Sequence, residues 1–509
     1  MDRRYLLKGG MAALLSPALP VSALAAPEWT AAQDRADMMR QLGIKELIPG
    51  PSADEKSAYH ANYDEAKATP FPDLPDPLRD GKGKAIDTAA AWNQRKRAEI
   101  VEALEREVYG RVPPDAPEIR WKEVVRDRQR VGFTPVIARR VIGVADNRAA
   151  PDIKVEIRMT VVTPAAATGP VPLLIMFGRD DFPAPSAPDR EGFERIDAAI
   201  KAMLVERDPA LAKVFADHPA YMLHEEPPAF RMPQRDEHGD LPRPHQIIAA
   251  GWGYAMLDQE SIQPDNGAAL RAGVIGLANR GQVRKPDDWG VLRAWAWGAS
   301  RAYDYLSQQG EIDPGRIGVE GVSRYGKAAL VAMAFDQRFA VALVGSSGKG
   351  GATLLRRNFG EGVSNLASGM HHWMAGNFLR YDAVSGPAKR SIADLPVDAH
   401  SLLALCAPRL VFVSYGIPEQ GDAHWLDQKG SYMAVIAASP VFDLLGGGGL
   451  DPRPPEMPPV GTALFAGNLA WRQHDGGHTD TPNMTYFLTW ASQKFASARP
   501  GSGGKAASG

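Results

Sequence analysis

Between an apolar strand-like run and a helix-like one, the segment RIGVEGVSRYGKAAL, residues 316–330, carries a serine flanked by glycines. Ser323 follows Gly321 by two residues and precedes Gly326 by three. A strand that turns sharply into a helix lifts such a serine above a sheet. The helix N-terminus then offers free N–H groups and a positive dipole to an oxyanion. This is the geometry of a nucleophile elbow, although the spacing is one residue longer than the usual G-x-S-x-G. The competing reading is a serine that merely caps a helix after a strand. Two basic residues bear on the choice. Arg324 and Lys327 fall on the first helical turn, where a cation opposes the dipole. An anionic or oxygen-rich ligand would offset that cost, and solvated surface charge is the plainer alternative.

A nucleophilic serine on such a fold needs a base late in the chain, after an acid. The late histidines are His474 and His478, in WRQHDGGHTDTP. Gly476 and Gly477 suit a loop that swings the His478 imidazole over the elbow. On a helix, the four-residue separation of His474 and His478 would chelate zinc, but the two glycines between them argue against a helix. The acid has two candidates beyond the apolar run PRLVFVSYG: Glu419 and, three residues on, Asp422. Glu419 is preferred because it is nearer the strand end and has the longer reach. Either could orient the imidazole.

Elements that could bring these residues together are visible along the chain. KVEIRMTVVTP alternates as a half-buried strand does, and VPLLIMFG is continuous, as expected of a strand covered on both faces. GWGYAMLDQ, RIGVEGV, FAVALVGSS and PRLVFVSYG read as further buried strands, and TALFAGN as a short one. DWGVLRAWAWGASRAYDYL and KAALVAMAF read as the helices between them. RKRAEIVEALEREVYG sets Ile100, Leu104 and Val108 on one helical face. This alternation predicts an α/β fold: a mostly parallel central sheet with helices on both faces, a three-layer αβα sandwich. We read one catalytic domain over residues 96–496, with a Pro-rich extension, 27–95, lying over it. A polar insertion at about 180–245 contains the helical AAIKAMLVE. No internal repeat is visible.

Composition narrows the class. The chain has 509 residues and balances 58 Lys+Arg against 60 Asp+Glu, a net charge of −2. That is too near neutrality for nucleic acid or an anionic membrane to be the main partner. Cys406 is the single cysteine, which excludes a disulfide framework and a multi-cysteine metal cluster. It lies in apolar LLALCAPRL and reads as an inert buried thiol. At the start, Arg3 and Arg4 in DRRYLLK precede an uncharged stretch, residues 9–26, that ends in the small-residue pattern SALAA. Residues 1–26 resemble a twin-arginine export signal, which predicts a periplasmic or secreted protein with no membrane attachment once processed. The last stretch, SARPGSGGKAASG, residues 497–509, reads as a disordered tail. Oligomeric state leaves no signature.

GVSRYGKAAL resembles the serine motif of the glucuronoyl esterase family of carbohydrate esterases, where arginine follows the serine and lysine stands four residues on. The resemblance extends through DWGVLRAWAWGASRAYDYL, SSGKGGATLLRR, LPVDAHSLLALCAPR, HWLDQKGSYM and GGH, roughly residues 95–495. It implies an α/β-hydrolase fold that cleaves esters of 4-O-methyl-glucuronic acid, the xylan side chain linked to lignin alcohols. No metal or organic cofactor is implied. Residue by residue, it makes Ser323 the nucleophile, His478 the base and Arg324 the oxyanion stabiliser. Lys327 would bond sugar hydroxyls, and Trp425 would pack on the uronate face. Glu361, in RRNFGEG, either faces the uronate or is solvated on its loop. His371, His372 and Trp373 read as cleft wall or core. One departure stands out: many members carry a glutamate just before Ser-Gly-x-Gly-Gly, and here that position is Ser346. The acid is then expected after a later strand, as in other bacterial members, at Glu419 or Asp422. The expected partner is glucuronoxylan or another glucuronate ester. The rival readings are an acetyl-xylan or other carbohydrate esterase, which would not need Lys327 or Trp425, and a non-catalytic uronate-binding protein.

Overall fold

A computed structural model describes residues 29–54, 56–69, 73–183, 190–223, 234–236 and 238–497. The leader read over residues 1–26 lies outside the described residues, as do 498–509 of the tail and two stretches of the insertion, 184–189 and 224–233.

Among the described residues the strands are β1 (Ile119–Val131), β2 (Thr134–Ala145), β3 (Glu156–Pro164), β4 (Val171–Phe177), β5 (Gly253–Leu257), β6 (Ile312–Val322), β7 (Val341–Gly345), β8 (Leu410–Tyr415) and β9 (Leu469–Gln473). They form one sheet in the order β1-β2-β3-β5-β4-β6-β7-β8-β9. The pairs β1/β2, β2/β3 and β3/β5 are antiparallel. From β5 through β9 every pairing is parallel, so those strands all end at one edge. Loops leaving that edge are where an open α/β sheet builds a site.

Burial follows the sequence pattern. In β4, Leu173, Ile175 and Phe177 enter the larger core, while Leu174 and Met176 enter the smaller one on the opposite face. A strand covered on both sides has no face left for polar residues, which is why VPLLIMF is uninterrupted. Helices Val291–Leu306, Arg324–Phe335 and Gln428–Leu444 contribute to the larger core; Arg243–Ala249 and Thr481–Ser497 close the smaller one. The fold is the α/β-hydrolase sandwich that the alternation and the elbow predicted.

Two parts differ from the sequence reading. The long antiparallel arm begins with β1 and β2, neither of them among the strands read from the sequence, and β1, IRWKEVVRDRQRV, is highly charged. It lies at the sheet edge with one flank in solvent, where charge deters pairing with another chain. At the other end, TALFAGN supplies only a single bridge, Leu464 to Trp471, and the last strand is LAWRQ. Its polar end is buried with two side-chain donors paired. Arg472 donates to Asn483, and Gln473 Nε2 donates to the Gly416 carbonyl at 3.0 Å.

The N-terminal stretch packs against later loops of the chain. Helix Ala31–Leu42 starts in a Thr30/Gln33 capping box and buries Met38 and Leu42. Leu47 bridges to Ala383, and Glu65 pairs with Arg357 at 2.5 Å. In the insertion, AAIKAMLVE belongs to helix Arg190–Arg207, and Leu211–Asp217 follows. Ser497, read as the first tail residue, still ends the last helix. Among the described residues, no helix is long and apolar enough to cross a membrane.

Candidate active site

Ser323 leaves β6 with φ 62° and ψ −129°, a left-handed conformation that a side chain adopts only under strain. Its N–H bonds the Gly345 carbonyl at 2.9 Å, and helix Arg324–Phe335 begins at once. Both neighbouring glycines are there for space. A Cβ on Gly321 would meet the Tyr325 carbonyl at 2.3 Å, and one on Gly326 would lie 2.6 Å from Gly345 O. The extra residue in the motif therefore moves the second glycine to the point where the helix crosses β7. The serine stands half-buried above a helix whose first N–H groups have no intrahelical acceptor.

Two strands over, the chain leaving β8 turns back and buries Asp422 completely. Asp422 Oδ1 lies 2.7 Å from His478 Nδ1. Its Oδ2 accepts from the Gly416 N–H and from the Ser346 hydroxyl, each at 2.9 Å. A carboxylate held by two other donors keeps its orientation and fixes the imidazole proton on Nδ1, leaving Nε2 to exchange protons. The His478 side chain is 37% exposed. Ser346, itself at φ 39°, is wholly buried at the end of β7. The position where a glutamate was looked for thus holds a hydroxyl that bonds the carboxylate arriving from β8. Glu419, the preferred acid on sequence grounds, is exposed in the short turn Pro418–Gln420 and has no hydrogen bond to an imidazole among the described residues. The reach of its longer side chain was the wrong criterion, because the chain doubles back after it: the Asp422 N–H bonds the Ile417 carbonyl at 3.0 Å.

The two late histidines do not make a pair. His474 accepts from the Gly476 N–H at Nδ1 (3.0 Å) and bonds the Thr479 carbonyl through Nε2 (2.8 Å). Both nitrogens are spent on shaping the loop, so no two-histidine zinc site is formed. Gly477 is needed for closeness, since a Cβ there would meet Gln420 O at 2.3 Å.

Arg324 does not wave in solvent. Its Nη1 pairs with Asp265 Oδ2 at 2.5 Å, and its guanidinium lies 5.4 Å from the Trp373 ring. Asp265 also receives the Trp373 indole N–H at 2.6 Å and sits 3.0 Å from His372 Nε2. Burial would raise this carboxyl, but hydrogen bonds from His372, Trp373 and Arg324, with the Arg324 charge, hold its pKa at about 2. Sequence reading missed Asp265. Its only signal was position, in the loop just beyond β5, whose C-terminal end meets the same sheet edge. His372 and Trp373, read as wall or core, are buried and brace that carboxylate; His371 instead bonds Asp34 of the N-terminal helix at 3.1 Å.

Lys327 is buried one turn into the elbow helix. Its Nζ donates to the carbonyls of Ser347 (2.6 Å) and Lys349 (2.7 Å) and lies 3.8 Å from Glu361 Oε2. Burial lowers its pKa, Glu361 opposing and Arg324 assisting. Glu361 is buried as well, accepting from the Lys349 N–H at 3.1 Å, so it is not the solvated loop residue of the plainer reading. Its own N–H bonds the Trp425 carbonyl at 2.7 Å, which ties half-buried Trp425 to the same corner. Cys406 is remote from these groups and buried, its thiol pushed up to about 11 by burial.

Comparisons with known proteins identify relatives of the chain. Residues 284–446 match the family model described as glucuronyl esterase, fungi. The chain is 39% identical to a CE15 glucuronoyl esterase from Teredinibacter turnerae T7901, the alignment covering 92% of this chain and 100% of that one with a TM-score of 0.74. It is 29% identical over 395 residues to carbohydrate esterase MZ0003 of an unknown prokaryotic organism, covering 77% of this chain and 83% of that protein. It is also 36% identical over 167 residues to the 4-O-methyl-glucuronoyl methylesterase of Podospora anserina, a match spanning 31% of this chain and 32% of that protein.

Proposed function

The chain belongs to the glucuronoyl esterase family of carboxylic ester hydrolases, and from that premise we propose that it cleaves 4-O-methyl-glucuronate esters of glucuronoxylan, lignin-linked esters included, through Ser323, His478 and Asp422. The observation that carries the reading is the 2.7 Å contact between His478 and wholly buried Asp422, at the sheet edge where the Ser323 elbow also opens. A chain of contacts joins them: Ser323 N–H to Gly345, then Ser346 to Asp422, then Asp422 to His478.

In this mechanism His478 Nε2 takes the Ser323 proton as Oγ attacks the ester carbonyl. Negative charge develops on the carbonyl oxygen, and the free amides of the elbow helix and the Arg324 guanidinium stabilise it. Asp422 stabilises the imidazolium, which then protonates the departing alcohol. Water, deprotonated by His478, attacks the acyl-enzyme and releases the uronic acid, and Ser323 recovers its proton. Lys327 and Glu361 supply a donor and an acceptor for sugar hydroxyls, and Trp425 an apolar face for the ring. The substrate lies outside the cell envelope's inner membrane, and the leader over residues 1–26 is the proposed route there.

Hydrolysis of benzyl glucuronate beside an acetyl ester, by wild type and Ser323→Ala, tests the proposal. Serine-dependent turnover of the uronate ester is the expected result. Turnover of the acetyl ester alone would keep the nucleophile and discard the substrate; binding of the uronate without turnover would favour a non-catalytic protein.

A further inference from the structure

Behind the elbow, on the face of β6 that meets the smaller core, two buried carboxylates share one cation. Glu320 stands three residues before Ser323, paired in register with Met176 of β4 and Leu343 of β7, both core residues. Asp480 stands two residues after His478 and, like Glu320, has no exposed side-chain surface. A single nitrogen serves both: Arg243 Nη1 donates to Glu320 Oε1 at 2.5 Å and to Asp480 Oδ1 at 3.2 Å. The remaining oxygens, Glu320 Oε2 and Asp480 Oδ2, are buried with no donor. Two ionised carboxylates would leave a net negative charge and two orphaned acceptors in an apolar interior, a costly arrangement. One proton removes both defects.

We propose that Glu320 and Asp480 share a proton at neutral pH, Glu320 Oε2–H donating to Asp480 Oδ2, and that this latch with Arg243 fixes the elbow strand to the histidine loop. Glu320 is then a positioning residue: it touches no substrate, but it sets where Ser323 and His478 stand relative to each other. Burial, helped by the Asp480 charge and opposed by Arg243, pushes the Glu320 carboxyl well above the usual carboxylate range. Charged or titratable groups on β9 and its loop also lie close to Asp480. Arg472 gives its Nη1 to Asn483 while its buried Nε meets no acceptor, and His474 has both ring nitrogens bonded to backbone. Neither supplies the missing donor. Arg243 opens the helix that follows the insertion, so the latch also binds the insertion's exit to the catalytic edge.

The kinetic consequence rests on the proposed roles of Ser323 and His478; the proton itself does not. The test compares wild type with Glu320→Gln, Glu320→Ala and Asp480→Asn in unfolding equilibria and kcat across pH. A carboxyl whose pKa is raised by folding gives a folded state that holds one more proton than the unfolded chain. Wild-type stability should therefore fall as pH rises above the carboxylate range, by up to about tenfold in the folding constant per pH unit. Glu320→Gln presents an amide N–H where the shared proton was, so it should lose that slope and keep kcat within about threefold, whereas Glu320→Ala should lose roughly tenfold to a hundredfold in kcat. Asp480→Asn leaves Glu320 ionised against Arg243 and should also flatten the slope. A Gln variant with the wild-type slope, or one as impaired as Ala, overturns the proposal. If the variants fail to fold, an infrared pH titration of wild type decides: a protonated carboxyl band at neutral pH supports the latch, and its absence refutes it. Should Ser323→Ala remain active, the kinetic arm falls with the mechanism, while the slope and the infrared band still judge the proton.

Discussion

Arg324 is useful to an oxyanion only if its guanidinium is held, and Asp265 holds it. A lysine could replace the charge but not the planar fork, whose Nη1 pairs with Asp265 and whose other N–H groups remain as donors. Arg324→Lys should therefore lower kcat by roughly a hundredfold with little change in KM, the signature of a lost transition-state contact. Unchanged turnover would remove Arg324 from the oxyanion site. The Asp265 carboxyl, held at about 2 against an ordinary 3.8, also sets an acid limit. Its folded pKa is depressed, so its stabilising contribution is complete above the unfolded value and disappears as pH falls from about 4 toward 2. The contribution is at most about 2 kcal/mol, and less once the solvent around Arg324 is allowed for. Asp265→Asn should show weaker acid dependence of stability in that window, measured by denaturant titration. For the acid, Asp422→Asn should cost about four orders of magnitude in kcat through loss of the correct tautomer, and Glu419→Gln less than about twofold. The reverse ranking would exchange the two roles.

At the scale of elements, the elbow works because β6, its helix and β7 are packed more closely than side chains allow. Gly326→Ala would push a methyl group to 2.6 Å from Gly345 O, the acceptor that holds the Ser323 N–H. The cost is about 1–3 kcal/mol of stability, and Ser323 should be displaced with it, so Tm and kcat should fall together. A variant with wild-type Tm and kcat would mean that the helix relaxes away freely. This explains what could be read beforehand. Ser323, Gly321 and Gly326 were legible because a strand–turn–helix writes its requirements into adjacent residues. The parallel core strands were legible because burial on both faces leaves uninterrupted apolar runs. Asp422 was harder to rank above Glu419, since the turn that buries one and exposes the other depends on backbone bonds between Ile417 and its neighbours. Asp265 was invisible because its partners, Arg324 and Trp373, are distant in sequence and meet it only across the folded edge. β1 and β9 were missed for different reasons: β1 carries its charge on an exposed sheet edge, and polar side chains of β9 are paired by groups elsewhere in the chain.

On the scale of the whole molecule, the N-terminal stretch is tied to the loops that carry Glu361 and Trp425. Arg357 has almost no exposed side-chain surface, and its guanidinium bonds Asp427 at 3.0 Å and Glu65 at 2.5 Å. Asp427 begins the helix that follows Trp425, and the Asn62 carbonyl accepts the Gly360 N–H next to Glu361. Tyr63 stacks on His424, the ring centroids 4.9 Å apart. The segment around residues 62–65 thus clamps both loops that carry Glu361 and Trp425. Because those residues are proposed to hold the sugar and Ser323 to perform the chemistry, loosening the clamp should separate the two functions. Glu65→Gln removes the exposed end of the network and leaves the buried Arg357–Asp427 pair intact. It should raise KM for a glucuronate ester several-fold while kcat stays within about twofold, the mark of lost ground-state and transition-state binding in equal measure. Arg357→Met is the severe form: it leaves Asp427 buried without its cation, at a cost of roughly 3–5 kcal/mol. If Glu65→Gln instead lowers kcat at constant KM, the N-terminal segment acts on the elbow rather than on the sugar, and the division of labour drawn here is wrong.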